Sequence, residues 1–203
     1  MNKTVELVKL WGDYETAHPA DGIIEFCRFL LLKEKQQKQK LAFAKSAMPD
    51  HPASILAKML GRLGRLLNNY AGFAIRQSGL SGFEDFFYLN DISANDAPIK
   101  TEVIFANFNE LSSGLLILDR LKKAGLITEK PDNKDKRMKR LMITKKGAVV
   151  LRECHLKLNE INQAIFGEMP EDEMLLCIQL LSPTESRIST KWIQDKRKSF
   201  SEL

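Results

Sequence analysis

Cysteine is scarce. Cys27, Cys154 and Cys177 are odd in number and far apart, so they make no disulfide framework, and no Cys-x-x-Cys pair is there to hold zinc. Histidine is as sparse, and His18, His51 and His155 form no cluster. Cys154 and His155 are neighbours, but adjacent side chains on a helix diverge by roughly 100°, too far to share one metal easily. The sequence has no G-x-S-x-G, no Walker loop and no H-E-x-x-H, the marks of several hydrolytic and nucleotide-binding chemistries. Acidic groups such as Glu84-Asp85 and Glu171-Asp172-Glu173 read as helix-start charges. The expectation is a non-enzyme without cofactor or metal. No apolar run approaches the ~20 residues of a membrane span. The opening residues lack the basic, apolar and small-residue order of a signal peptide, which sets the expectation of a cytoplasmic protein with no membrane partner.

What is present is an ordinary globular composition with an uneven charge. The 203 residues are 44% hydrophobic and 28% charged, enough to bury a core in one or two domains. Net charge is +5. Between Pro98 and Gly147 stand twelve Lys or Arg against six Asp or Glu, so the basic character sits in one quarter of the chain. That concentration is the electrostatic footprint expected for a polyanion.

Periodicity predicts a mainly helical chain. Residues 1–20 read as an arm, broken at His18-Pro19-Ala20-Asp21-Gly22. A helix is expected from about Ile23 to Lys45, ended by Met48-Pro49-Asp50-His51-Pro52. A second spans roughly Ala53 to Gln77, with Ile55, Met59, Leu63, Leu66, Tyr70 and Phe73 on one apolar face. Phe83 to Ile92 reads as a short helix. Pro98 to Phe108 fits another, Asn109-Glu110-Leu111 a tight connection, and Ser112 or Ser113 a cap for a helix running to Lys123. Leu126–Lys130 and Arg140–Thr144 have strand character, with turn-forming residues between them. Two helices joined by a short turn and followed by a two-stranded ribbon describe a winged helix-turn-helix. From Gly147 a long helix carries Leu151, Cys154, Leu158, Ile161 and Ile165 at alternating spacing, a heptad-like seam suited to a partner helix. A last helix opens after Pro170, and Ser182 to Leu203 is polar.

The candidate binding residues follow from this pattern. Lys134, Lys136, Arg137, Lys139, Arg140, Lys145 and Lys146 are opposed only by Asp135. A projecting hairpin so charged can lie along a phosphate backbone or reach a minor groove, although a charge run by itself is often a solvated face. The second helix of the pair would enter a major groove by its N-terminal end, presenting Ser112, Ser113 and Gly114, with Leu115 and Leu116 next. Leu118 and Leu121 would face the core, and Lys122 and Lys123 could reach phosphates.

Two stretches resemble the multiple-antibiotic-resistance regulator (MarR) family. Asp119-Arg120-Leu121-Lys122-Lys123-Ala124-Gly125-Leu126-Ile127 looks like the end of its recognition helix and its first wing strand. Asp135-Lys136-Arg137-Met138-Lys139-Arg140-Leu141-Met142-Ile143-Thr144-Lys145-Lys146-Gly147 looks like its wing, with Ile143 in place of leucine. The helix order fits over roughly residues 21–182. The resemblance implies a homodimeric transcription regulator, in the repressor reading, on pseudopalindromic double-stranded DNA. It implies that Arg137 enters the minor groove, that Asp135 orients it, and that a small, often aromatic, effector or an oxidant releases the DNA. The implied fold class is mainly α: a winged helix-turn-helix with a small antiparallel β-wing and N- and C-terminal dimerisation helices. The corresponding parts are an arm and dimerisation helix over 1–52, the DNA-binding domain over 53–147, and dimerisation helices and tail over 148–203.

Two departures from the family bear on specificity. Leu115 and Leu116 stand where many relatives carry polar or basic groups, and could meet thymine methyls instead. The turn Asn107-Phe108-Asn109-Glu110 replaces a more regular Leu-Gly. Cys27 matches the place of a reactive cysteine in some peroxide sensors of the family. It has Arg28 beside it, but a small buried hydrophobe is the commoner role for a free cysteine. Trp11, Tyr14, Phe26, Tyr70 and Phe73 could line an effector cleft, or simply be core. The alternative function is a winged-helix protein-interaction module without specific DNA binding.

Overall fold

The computed structural model describes residues 2–36, 51–132 and 138–197, with side chains placed through residue 31 in the first stretch and 194 in the last. The chain divides into two compact units, Met1–Met59 and Leu60–Leu203.

The first unit holds α1 (Lys3–Ala17), α2 (Ile23–Gln36) and the opening turns of α3 (Pro52–Arg76). The stretch read as an arm is therefore a helix. Its start is set by Asn2, whose side-chain oxygen accepts from the Thr4 N–H at 3.0 Å, a standard N-cap. It stops ahead of Pro19. The Tyr14 hydroxyl donates to Asp21 Oδ2 at 2.6 Å, tying α1 to the turn that follows it. That bond, then burial and the nearby acids, push the phenol up to about 12. Trp11, Tyr14, His18, Phe26 and Phe29 form one ring cluster.

The second unit continues with α4 (Phe83–Ala94), α5 (Lys100–Ala106), α6 (Leu111–Lys123), β1 (Ile127–Pro131), β2 (Lys139–Ile143), α7 (Lys145–Phe166) and α8 (Glu171–Arg197). The strands pair antiparallel, with Ile127 opposite Ile143 and Glu129 opposite Leu141. Ile75, Tyr88, Leu89, Ile104, Leu118, Leu121, Ile127, Leu141 and Cys154 are fully buried in one core, each large aliphatic contributing roughly 1.5–3 kcal/mol. The result is the mainly α winged helix-turn-helix that the pattern predicts. Among the described residues no helix is long and apolar enough to cross a membrane.

The structure shows what covers these faces. The apolar stripe of α3 does not face the core, since Leu63, Leu66, Tyr70 and Phe73 are exposed. Ala71 and Ile75, on the other side of its last turns, are the buried residues. The first half of the α7 seam is not left for a partner, since Leu151, Cys154 and Leu158 are buried in the chain's own core, whereas Ile161 and Ile165 are only half-buried. Periodicity identifies an apolar face but not what covers it. Finally, the polar segment after Ser182 remains helical through Pro183 to Arg197.

Candidate nucleic-acid interface

The turn between α5 and α6 is built from side-chain bonds in place of a glycine. Asn107 Nδ2 donates to Asp91 Oδ2 at 2.6 Å and to the Val103 carbonyl at 2.8 Å. Burial raises the Asp91 carboxyl, with the Asn107 bond acting the other way. Asn109 Nδ2 donates to the Tyr88 hydroxyl at 3.0 Å. Between them Phe108 sits at φ +56°, a left-handed conformation that costs a side-chain-bearing residue about 1–2 kcal/mol. The irregular turn sequence is thus anchored to α4 through Asp91 and Tyr88.

Helix α6 begins at Leu111, one or two residues before the serines expected to cap it, with Glu110 in extended conformation ahead of it. Ser112 and Ser113 lie in its first turn and are exposed. There their hydroxyls point away from the core and cap nothing in the helix. The buried face is Gly114, Ile117, Leu118 and Leu121. Gly114 is there because nothing larger fits: a Cβ would lie 2.5 Å from Ile104 Cγ1 and 2.7 Å from the Tyr88 hydroxyl. The leucine pair is split. Leu115 packs against the core, whereas Leu116 is 69% exposed on the same outward face as the serines.

Two devices fix α6 in place. Arg120 Nε donates to Asp85 Oδ1 at 3.0 Å and to Oδ2 at 3.2 Å, and Nη2 also pairs with Oδ1. The Asp85 side chain is 2% exposed and also accepts from the Ser81 N–H at 2.9 Å. The bond to Asp85 raises the Arg120 guanidinium, against its partial burial. At the other end the Leu126 N–H donates to the Leu121 carbonyl and the Gly125 N–H to Lys122, at 3.0 and 2.9 Å, the Schellman pattern. Lys146 Nζ donates to the Ala124 carbonyl at 2.8 Å, adding a cation where the helix dipole is negative.

The motif Ile143-Thr144-Lys145-Lys146-Gly147 has a mechanical reading. The Thr144 hydroxyl donates to the Gly125 carbonyl at 2.8 Å and accepts from the Gly147 N–H at 3.0 Å. It joins the wing to the start of α7. A Cβ at Gly147 would fall 2.2 Å from the Leu126 carbonyl oxygen, so only glycine allows this approach.

The wing base is held by a third segment. The Leu141 N–H donates to the Pro98 carbonyl at 2.9 Å, and Ile99 bridges to Arg140. Arg140 pairs with the buried Asp132 and donates from Nη1 to the Ala97 carbonyl at 2.9 Å. The pairing with Asp132 raises its guanidinium. Arg140 is thus engaged in holding the hairpin. Lys134, Asp135, Lys136 and Arg137 lie outside the described residues.

On the inner face of β1 is a residue that sequence reasoning missed. Glu129, its side chain 8% exposed, receives Lys100 Nζ at 2.9 Å, Lys122 Nζ at 3.0 Å and Lys139 Nζ at 3.4 Å. Burial would raise this carboxyl, but the hydrogen bonds and charges of Lys100 and Lys122 outweigh it and bring it down to about 2. The only signal in the sequence was an acid placed between strand positions that face inward. Asp85, Arg120 and Lys100 were missed as site-builders for the same reason: their partners are 29 to 35 residues away.

The other candidates fall elsewhere. Cys27 is exposed, against the buried-hydrophobe expectation, because Phe26 takes the inward position on α2. Arg28, the neighbour considered as its activator, lies 3.9 Å from Glu25. Cys154 is buried, which pushes its thiol up. Tyr70 and Phe73 are exposed on α3. A cavity of about 490 Å³ is instead lined by Leu60, Phe108, Leu181, Ile188 and Trp192. No group of three metal-ligating side chains occurs among the described residues.

No family model matches the chain, and no curated protein matches it. Solved structures do, by fold. A MarR protein from Peptoclostridium difficile shares 20% identity at a TM-score of 0.66, over 73% of this chain and 97% of that one. A SlyA-like transcription regulator from Listeria monocytogenes shares 21% at 0.63, over 75% and 100%. The repressor CouR, bound to a 23-mer DNA duplex, shares 19% at 0.61, over 69% and 99%. CouR from Rhodococcus jostii has also been solved with p-coumaroyl-CoA, at 17% and 0.59, over 70% and 96%. The chain therefore has the fold of the MarR-type winged-helix regulators.

Proposed function

We propose that this chain is a MarR-type DNA-binding transcription regulator, not an enzyme, acting in the cytoplasm as a homodimeric repressor on pseudopalindromic operators. The observation that carries the reading is the outward face of α6. Ser112, Ser113 and Leu116 are exposed there, on a helix whose other side is locked into the core, beside a wing rich in Lys and Arg. A helix so mounted can enter a major groove by its N-terminal end while the hairpin tip reaches the adjacent minor groove. Ser112, Ser113 and Leu116 are the proposed groove contacts, with Lys122, Lys139 and the tip residues Lys134, Lys136 and Arg137 on phosphate or in the minor groove. Asp135 supports Arg137. Leu115 and Arg140 serve packing and wing support.

Residues 53–147 are the proposed DNA-binding part, with 1–52 and 148–203 assembling the dimer. Support for a second copy is the uncovered apolar surface of α3 and α8, where Leu60, Leu63, Leu66, Leu175, Ile178 and Leu180 are exposed. Such surface is costly to leave in water. A small aromatic effector would suit the 490 Å³ cavity, whose wall includes Phe108 of the helix-turn-helix. Oxidation at exposed Cys27 is the alternative release signal, and peroxide-sensitive release that survives Cys27→Ser would remove it. The protein-interaction reading draws on one observation, the apolar Leu116 on the outward face.

Selection of genomic fragments by purified protein at two salt concentrations tests the proposal. Enriched pseudopalindromic sites, bound less tightly as salt rises, are expected. Absence of any preferred fragment would favour the protein-interaction reading.

A further inference from the structure

Three ammonium groups meet at one carboxylate. Lys100 belongs to the first turn of α5, Lys122 to the last turn of α6 and Lys139 to β2. Lys100 contacts Glu129 Oε1, while Lys122 and Lys139 share Oε2. Their side chains remain 28%, 48% and 58% exposed, against 8% for the glutamate. The cluster therefore shows solvent a net charge of +2, carried by lysines whose rotamers are restrained by one buried acid.

Its place in the fold matters. A helix in the major groove and a hairpin in the next minor groove straddle one sugar-phosphate strand. Lys122 lies on the flank of α6 that faces the wing, and Lys139 on the wing strand itself. The strand between the grooves must then pass over the seam that Glu129 fills from below. We propose that Lys100, Lys122 and Lys139 form a phosphate seat for that strand, and that Glu129 is the positioning residue that gathers them. This rests on the DNA-binding reading above and adds to it a backbone contact, Lys100, and an acid that strengthens binding to a polyanion.

The sign of one substitution separates this from simple electrostatics. Glu129→Gln is nearly isosteric and raises the net charge by one, so charge alone calls for tighter DNA binding. A positioning role calls for weaker binding, because three lysines without a common acid repel one another and splay. The probe is a fluorescein-labelled duplex of about 30 base pairs of arbitrary sequence, followed by anisotropy between roughly 50 and 200 mM salt. Glu129→Gln is expected to bind three- to tenfold more weakly and to lose about one unit from the slope of log K against log salt. Lys100→Met, away from the acid's own position, should lose a similar slope, and Lys100→Arg should keep it. A purely structural role for Glu129 would lower the melting temperature and leave the slope alone. Wild-type slope in both Glu129→Gln and Lys100→Met, or tighter binding by Glu129→Gln, overturns the seat while leaving the DNA-binding reading standing. A wild-type protein with no salt-dependent affinity for the duplex overturns both.

Discussion

Arg120 and Asp85 offer a test of how α6 is held. The pair joins α6 to α4, with the acid almost wholly buried and the arginine side chain 42% exposed. The asymmetry in exposure makes the two truncations unequal. Asp85→Ala releases an arginine that can turn to water, so the expected cost is about 1.5–3 kcal/mol, the scale of hydrogen bonds to a charged group. Arg120→Ala strands a carboxylate in the core with only the Ser81 N–H left to it. The expected cost is about 3–5 kcal/mol at neutral pH. Urea unfolding followed by far-ultraviolet circular dichroism reads both numbers. The double variant should cost less than the sum of the singles, since removing both partners leaves no unpaired charge. If Arg120→Ala costs less than Asp85→Ala, or under about 1 kcal/mol as surface pairs do, the account of α6 as clamped by a buried acid is wrong.

Other perturbations follow from the same geometry. Gly114→Ala should destabilise by roughly 1–3 kcal/mol through overpacking against Ile104 and Tyr88, and an unchanged urea midpoint would contradict the close approach. Phe108→Gly should be about 1 kcal/mol more stable than Phe108→Ala, because both lose the half-exposed ring and only glycine relieves the left-handed backbone; equal stability of the two variants would speak against strain there. Glu129 has a carboxyl depressed to about 2, so its contribution is present above the ordinary carboxylate range near 4.5 and is lost as pH falls toward 2. The gap in stability between wild type and Glu129→Gln, at most of order 3 kcal/mol, should close over that window and be flat above pH 5. Tyr14 runs the opposite way: its phenol is raised to about 12, so the bond to Asp21 is fully present below pH 10 and is lost as pH rises through 12. Absorbance at alkaline pH should show two late-ionising tyrosines, of which Tyr14→Phe removes one and leaves Tyr88, whose phenol burial raises.

The order of helices and the hairpin were legible because their signals are local. Leu118 and Leu121 point into the core as their spacing said, and Leu141 and Met142 alternate as a half-buried strand must. The motif around Thr144 and Gly147 was legible as a pattern, and the structure gives its cause in one hydroxyl and one forbidden Cβ. What was not legible depends on where a face points. The stripe on α3 and the seam on α7 have the same periodicity, yet the first is exposed and half of the second is core. Leu115 and Leu116 are adjacent and alike in chemistry, and only the helix phase separates them. Ion pairs were the least visible feature. Arg140 read as a DNA contact but clamps Asp132, and Glu129 read as nothing, because an acid's role is set by cations that arrive from distant helices.

The central claim is that the outward face of α6 meets DNA, and one substitution addresses it with little risk to the fold. Leu116 is exposed on that face, so Leu116→Glu should leave the melting temperature within about 1 °C, as surface changes usually do. It should weaken binding to a fragment recovered by genomic selection by about 2 kcal/mol or more, placing a negative charge among phosphates. Unchanged affinity for that fragment, with the fold intact, would contradict the assignment of α6 as the helix that enters the groove.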